Sequence, residues 1–155
     1  MSAEQRLQDL GVTLPAAPKP VANYIPAVLA GELLFLSGVL PSKDGQLMLA
    51  GKLGRDLTVE QGQQAARQAL LNALAIIRQE LGDLDRVRKI VRLTGHVASH
   101  EGFTQQPAVV NGASDLLVQV FGETGRHARV ALGAAELPLN APVELELIVH
   151  VHAAS

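Results

Sequence analysis

Apolar residues recur along this chain with two different periods, and the points where the period changes divide it into elements. From Val143 onward Val143, Leu145, Leu147, Val149 and Val151 alternate with Glu144, Glu146, Ile148, His150 and His152. A period of two puts each set on its own face, which predicts a half-buried strand. Ala128 to Ala134 has the same period, with Val130 and Leu132 on one face and Arg129, Ala131 and Gly133 on the other. Between Thr58 and Leu81 the spacing lengthens to three or four: Val59, Gly62, Ala66, Ala69, Ala73 and Ile77, widened by Leu70, Leu74 and Leu81. That stripe predicts a long amphipathic helix. Thr58 and Gln61 have the spacing of a capping box, and Gly82 suits the left-handed residue that closes a helix. So much alanine on the buried side implies a helix lying close to its sheet.

The rest of the chain reads in the same way. Ala3 to Leu10 predicts a short helix closed by Gly11, and Thr13 to Pro20, with three prolines, excludes regular structure and predicts a surface arm. Asn23 to Ala30 and Leu33 to Ser37 are strand-like around a Gly31-Glu32 turn, and Leu47 to Ala50 suggests a further short strand. Val87 to Val97 predicts a strand with Val87, Val91, Leu93 and Val97 on one face and Arg88, Ile90, Arg92, Thr94 and His96 on the other. Pro107 to Phe121 is a second helix, with Pro107 in the tolerated first turn and Val110, Leu117 and Phe121 facing inward.

Strands followed by a helix, twice over, with a final strand pair, give a two-layer α+β domain whose mixed sheet carries both helices on one face. Residues 1–20 form a helix and arm, and residues 21–155 a single domain. The uncovered sheet face is expected to mix Arg92, His96, Arg129, Glu144 and His150 with Ile90, Ala131 and Ile148. Such a face is too apolar for water and too polar for a core, so it is expected to be buried against other copies of the chain, with polar clefts between them.

Composition narrows the function classes. Aromatic residues make up only 3% of the chain, so Leu, Val, Ile and Ala must fill its core. A formal net charge of -2 offers no attraction to nucleic acid or to an anionic membrane. With no cysteine there are no disulfides, thiolate metal sites or cysteine nucleophiles, as suits a cytoplasmic protein. The acidic N-terminus lacks a signal-peptide core, so the chain is expected to stay in the cytoplasm.

Few residues are candidates for chemistry. Arg129 sits among Ala131 and Gly133, which leave room above its planar guanidinium for a carboxylate or phosphate held through two parallel hydrogen bonds. The same spacing also fits an exposed strand arginine in a weak surface ion pair. Ser37-Gly38 ends a strand where glycine permits a turn or a close approach to the backbone. It lacks the pattern of a nucleophile elbow. Glu144 and Glu146 point the same way along their strand, and Glu144 could position or deprotonate a water beside a ligand on Arg129. His96 with His100 and His150 with His152 each lack a third converging ligand, so no metal is expected. The Gly51 to Gly54 loop has no following Lys-Ser/Thr and is discarded as a phosphate site. No cofactor is expected.

The run ARVALGAAELPLNAPVELELIVHV resembles the C-terminal signature of the YjgF family, also called the Rid or endoribonuclease L-PSP family. NYIPAV, LLFLSGVLP and QPAVVNGASDLL resemble its other blocks, in the same order, over about Val21 to Val151. The resemblance implies a YjgF-like, chorismate-mutase-like fold and a homotrimer with three clefts between subunits. It also implies a role for Arg129 in binding the carboxylate of a 2-imino or enamino acid, and for Glu144 in helping water attack the C=N carbon to give a 2-keto acid and ammonia. By the same match Tyr24, Ser37, Gly38 and Asn111 line the cleft. The chain departs from the deaminating branch at Val39, where Gln is common, at His127, where Pro is usual, and at Ala131, where Cys is frequent. The expected partners are therefore a small carboxylate-bearing metabolite and the chain itself. A non-catalytic ligand-binding or regulatory trimer is the alternative. A ribonuclease or translation inhibitor is a minor one, because the chain offers neither a stacking surface nor a phosphate track.

Overall fold

The structure, a computed structural model, describes residues 1–20 and 22–154. Its main sheet has five strands: β1 (Ala27–Ala30), β2 (Leu33–Leu36), β5 (Val87–Ala98), β6 (Ala128–Ala134) and β7 (Val143–Val151). Their order is β1-β2-β7-β5-β6, with β5 and β6 parallel and every other pair antiparallel. A separate hairpin, β3 (Ser42–Lys43) with β4 (Gln46–Leu47), occupies the stretch where Leu47 to Ala50 is strand-like in sequence. Asp44 and Gly45, both at positive φ, turn the chain there before Leu47 can extend. Only Ala27–Ala30 of the 23–30 segment pairs as a strand.

Three helices accompany the sheet: α1 (Ala3–Asp9), α2 (Val59–Leu81) and α3 (Gln106–Phe121). α2 and α3 cover one sheet face. The Thr58–Gln61 capping box forms with both bonds present, and Gly82 closes α2 at φ 85. Small residues let the two helices approach: a Cβ added at Gly112 would lie 2.2 Å from the Gln63 carbonyl oxygen. Leu70, Leu74, Ile77, Leu117, Leu145 and Leu147 meet in the core beneath. α1 docks at the outer end through buried Leu7 and a two-pronged pair from Arg78 to Glu4, at 3.0 and 2.6 Å. Among the described residues no helix is long and apolar enough to cross a membrane.

Two irregularities change the expected faces. β5 and β7 shift register between Val87 and Lys89 and again between Ile90 and Arg92. These bulges break the period of two, so Ile90 is fully buried in the core and Val91 is 37% exposed. β6 also turns its faces opposite to expectation. Its parallel register pairs Arg129 with Leu93 and Ala131 with Gly95, and both partners face the helices. Arg129 and Ala131 therefore lie on the helix-covered face, at the sheet edge. The open face instead carries Val28, Phe35, Ile148 and Arg92 in one row across four strands, with Leu132, His96 and Glu144 in another.

Candidate functional site

Two groups of side chains are built by these elements. The first is on α3 and β6. Arg129 Nη1 donates to Asn111 Oδ1 at 2.7 Å and to Ser114 Oγ at 3.2 Å, and Nη2 reaches only the Pro107 carbonyl, at 3.5 Å. Among the described residues no carboxylate pairs with Arg129. Two neighbours complete this group: Ser114, which the sequence reading passes over, and His127, which stands out there only as a departure from the family pattern. His127 Nδ1 donates to the Gly125 carbonyl at 2.6 Å, so in the neutral ring Nε2 accepts the Ser114 hydroxyl at 2.9 Å. Donors thus run from Arg129 to Ser114 to His127 to the backbone, and the guanidinium is held from below. Ser114 was findable from spacing, since it follows Asn111 by three on one helix face.

The second group lies at the far end of β2. Gly38 passes so close to Glu144 that an added Cβ would sit 2.8 Å from the carboxyl carbon, so this glycine serves close approach. Burial holds the Glu144 carboxyl above its ordinary value, an effect that nearby His96 opposes and Glu146 adds to. His96 Nε2 meets Glu146 at 2.6 Å and His150 Nε2 meets Glu32 at 3.3 Å, which gives both histidines carboxylate partners. Among the described residues no three His, Asp or Glu side chains converge as a metal site. Ser37 Oγ donates to the Ile25 carbonyl at 2.6 Å and is tied to the backbone, an unsuitable state for a nucleophile.

Tyr24, Ser37 and Gly38 also line a cavity of about 510 Å3. Leu40, Leu47 and Ile76 contribute to its inner wall, and Pro15 to Pro20 of the N-terminal arm to the rest. The structure thus brings Tyr24, Ser37, Gly38 and Glu144 to one place and Asn111 and Arg129 to another. It does not bring the two groups together in one chain. Arg129 is in register with Leu93 and Glu144 with His96, three residues further on, so the two side chains project from opposite sheet faces. An Arg129–Glu144 ion pair within one chain is excluded by this geometry.

The fold and these residues have counterparts in known proteins. The family described as "YjgF/chorismate mutase-like, putative endoribonuclease" matches residues 4–151. Protein TCP17 of Trypanosoma cruzi is 48% identical, over 94% of this chain and 92% of its own. A 2-iminobutanoate/2-iminopropanoate deaminase of Dermatophagoides farinae is 30% identical, over 89% of this chain and 93% of its own. The crystal structure of Atu1372 from Agrobacterium tumefaciens, a protein of unknown function, superposes with a TM-score of 0.90 at 46% identity, covering 97% of this chain and 92% of that one. A match along nearly the whole chain, in sequence and in fold, places this protein in the YjgF/chorismate mutase-like family, to which it belongs.

Proposed function

We propose that the protein is a cytoplasmic homotrimer that binds small carboxylate-bearing metabolites in clefts between its copies and hydrolyses 2-imino or enamino acids there. The observation that carries this reading is Arg129, a guanidinium anchored on one side by Asn111 and Ser114 and without a carboxylate partner among the described residues. Its remaining donors suit the two oxygens of a carboxylate. Because Glu144 projects from the other face, the reading requires Arg129 of a second copy beside Ser37, Gly38 and Glu144 of the first. The open face favours such packing, since Phe35, 40% exposed, and Leu132, 39% exposed, lie on it among charged residues. The deaminating relative supports the choice of reaction.

In the proposed reaction the carboxylate group of the ligand rests on Arg129 and its C=N carbon lies beside Glu144. Glu144 takes a proton from a water whose oxygen bonds to that carbon, turning C=N into C–N. Glu144 returns that proton to the nitrogen; it then takes the proton of the new hydroxyl and passes it to the nitrogen as C=O forms and the C–N bond breaks, leaving a 2-keto acid and ammonia. An imine is already electrophilic, so placement and one oriented water carry most of the rate. The raised value of the Glu144 carboxyl makes it a stronger base than an ordinary glutamate.

The opposite-face arrangement also favours a second reading, a trimer that binds such acids without turning them over. Ammonia release from an imino acid generated in situ separates the two. Wild type is expected to accelerate release, and Arg129→Ala and Glu144→Gln are not. Binding of 2-keto acids without acceleration would support the regulatory reading instead. Arg129→Ala should weaken keto-acid binding by about 2 to 4 kcal/mol, thirty- to a thousand-fold, with the fold intact. Equal binding by Arg129→Ala and wild type would remove the clamp altogether.

A further inference from the structure

The cavity beside Ser37 and Gly38 is much larger than a two- or three-carbon acid requires. At about 510 Å3 it lies in the range of sites for drug-sized molecules. Its inner wall is apolar, with Val39, Leu40, Leu47 and Ile76, its outer wall includes the arm, with Pro15, Ala16, Ala17 and Pro18, and the exposed Lys19, Lys43 and Asp44 also line it. Leu139, an exposed leucine held at φ 58, stands at its edge. A large apolar residue kept in the left-handed region is costly and persists where the surroundings demand it. Asn72, the buried polar residue of this region, is fully used: its amide donates to the Leu40 and Ser42 carbonyls and its oxygen accepts from Gln68. The inner wall therefore offers a ligand mainly hydrocarbon contact.

We propose that this cavity is the subsite for the side chain of the ligand, and that the N-terminal arm makes the protein selective for 2-keto and 2-imino acids with apolar side chains of about four to six carbons. The proposal rests on the carboxylate-clamp reading above for where the acid end lies. Tyr24, Ser37 and Gly38 stand at the junction of the two regions: Gly38 touches Glu144 on one side, and all three line the cavity on the other. A side chain entering there exchanges water for apolar wall, which is worth about fourfold in affinity per methylene. Of the arm residues that line the cavity, Ala17 also packs on the core, so a larger side chain at this point fills the cavity from its outer wall.

Calorimetry on the full-length protein tests this with an unbranched series from pyruvate to 2-oxooctanoate, together with hexanamide as a probe lacking the carboxylate. In wild type the affinity is expected to rise about fourfold per added carbon and to level off once the cavity is filled. Ala17→Phe should reduce the ratio of 2-oxooctanoate to pyruvate affinity at least tenfold. Leu139→Glu, which sets a carboxylate at the cavity edge, should lower the same ratio and guards against an arm merely displaced by the first variant. A flat series in wild type, or an unchanged ratio in both variants, overturns the proposal. If no keto acid binds but hexanamide binds wild type and not Ala17→Phe, the clamp reading fails and the apolar subsite stands. If neither class of probe binds, both fail.

Discussion

Burial opposes ionisation of the Glu144 carboxyl. The linkage has a definite sign. Between the ordinary glutamate value of about 4.3 and the raised folded value, the folded state keeps a proton that the unfolded state releases, so stability falls as pH rises through that window and stays lower above it. Glu144→Gln is therefore expected to raise Tm at pH 7 to 8 and to leave it unchanged near pH 3.5. The gain should be no more than about 3 °C, because solvent screens a half-exposed carboxyl. Thermal unfolding at the two pH values checks this, and a gain of equal size at both would assign the effect to packing against Gly38. Arg129 shows how far single residues were legible in the sequence. Small neighbours at 131 and 133 marked the space around it, but they could not reveal its face. That depends on the parallel register with β5, which a strand's own alternation does not contain. His127 stood out only as a departure from the family pattern, and its bond to Ser114 requires α3 and β6 to be placed first.

At the scale of elements, the helices were the most readable parts and the bulged strand the least. The Thr58–Gln61 box and Gly82 fix both ends of α2 by local chemistry, so no tertiary knowledge was needed. In β5 the alternation misled, because two bulges each slip the pairing by one residue and so carry Ile90 inward and Val91 outward. Where α2 crosses α3 the decisive residue is Gly112. Replacing it with alanine gains about 1 kcal/mol of helix propensity. The new methyl, however, would sit 2.2 Å from the Gln63 carbonyl oxygen, a backbone atom that cannot rotate away. Overpacking of this kind costs about 1 to 3 kcal/mol and more when backbone must shift. Gly112→Ala is expected to lower stability by about 2 kcal/mol net, read as a reduced denaturant midpoint with an unchanged slope. A midpoint at or above that of wild type would mean that the helices can separate slightly at this crossing.

For the whole molecule, the sequence reading had the two-layer plan right because sheet and helix periods dictate it, and it anticipated an uncovered face and placed Arg92, His96, Glu144 and Ile148 on it. Ile148 stays on that face as expected, Phe35 and Leu132 join it, and Ile90, Arg129 and Ala131 lie on the other side. The proposed trimer makes Ile148→Asp the sharpest assembly test: three carboxylates brought into a dry interface would each lose several kcal/mol of hydration. Sedimentation should show the wild type at three times the mass of the variant, with matching circular dichroism; a monomeric wild type would remove the shared cleft, and a trimeric variant would take Ile148 out of the interface. The arm covering the cavity has one more consequence. Among the described residues no hydrogen bond involves residues 13–20, so three prolines and the packing of Leu14 and Ala17 hold it in position. In deuterium exchange the amides of Thr13, Leu14, Ala16, Ala17 and Lys19 should therefore label within seconds, while those of β5 and β7 wait for global unfolding. Opening this wall breaks no hydrogen bond among the described residues, so the slow step for a ligand leaving the cavity should be the swing of an eight-residue strap rather than any loosening of the fold.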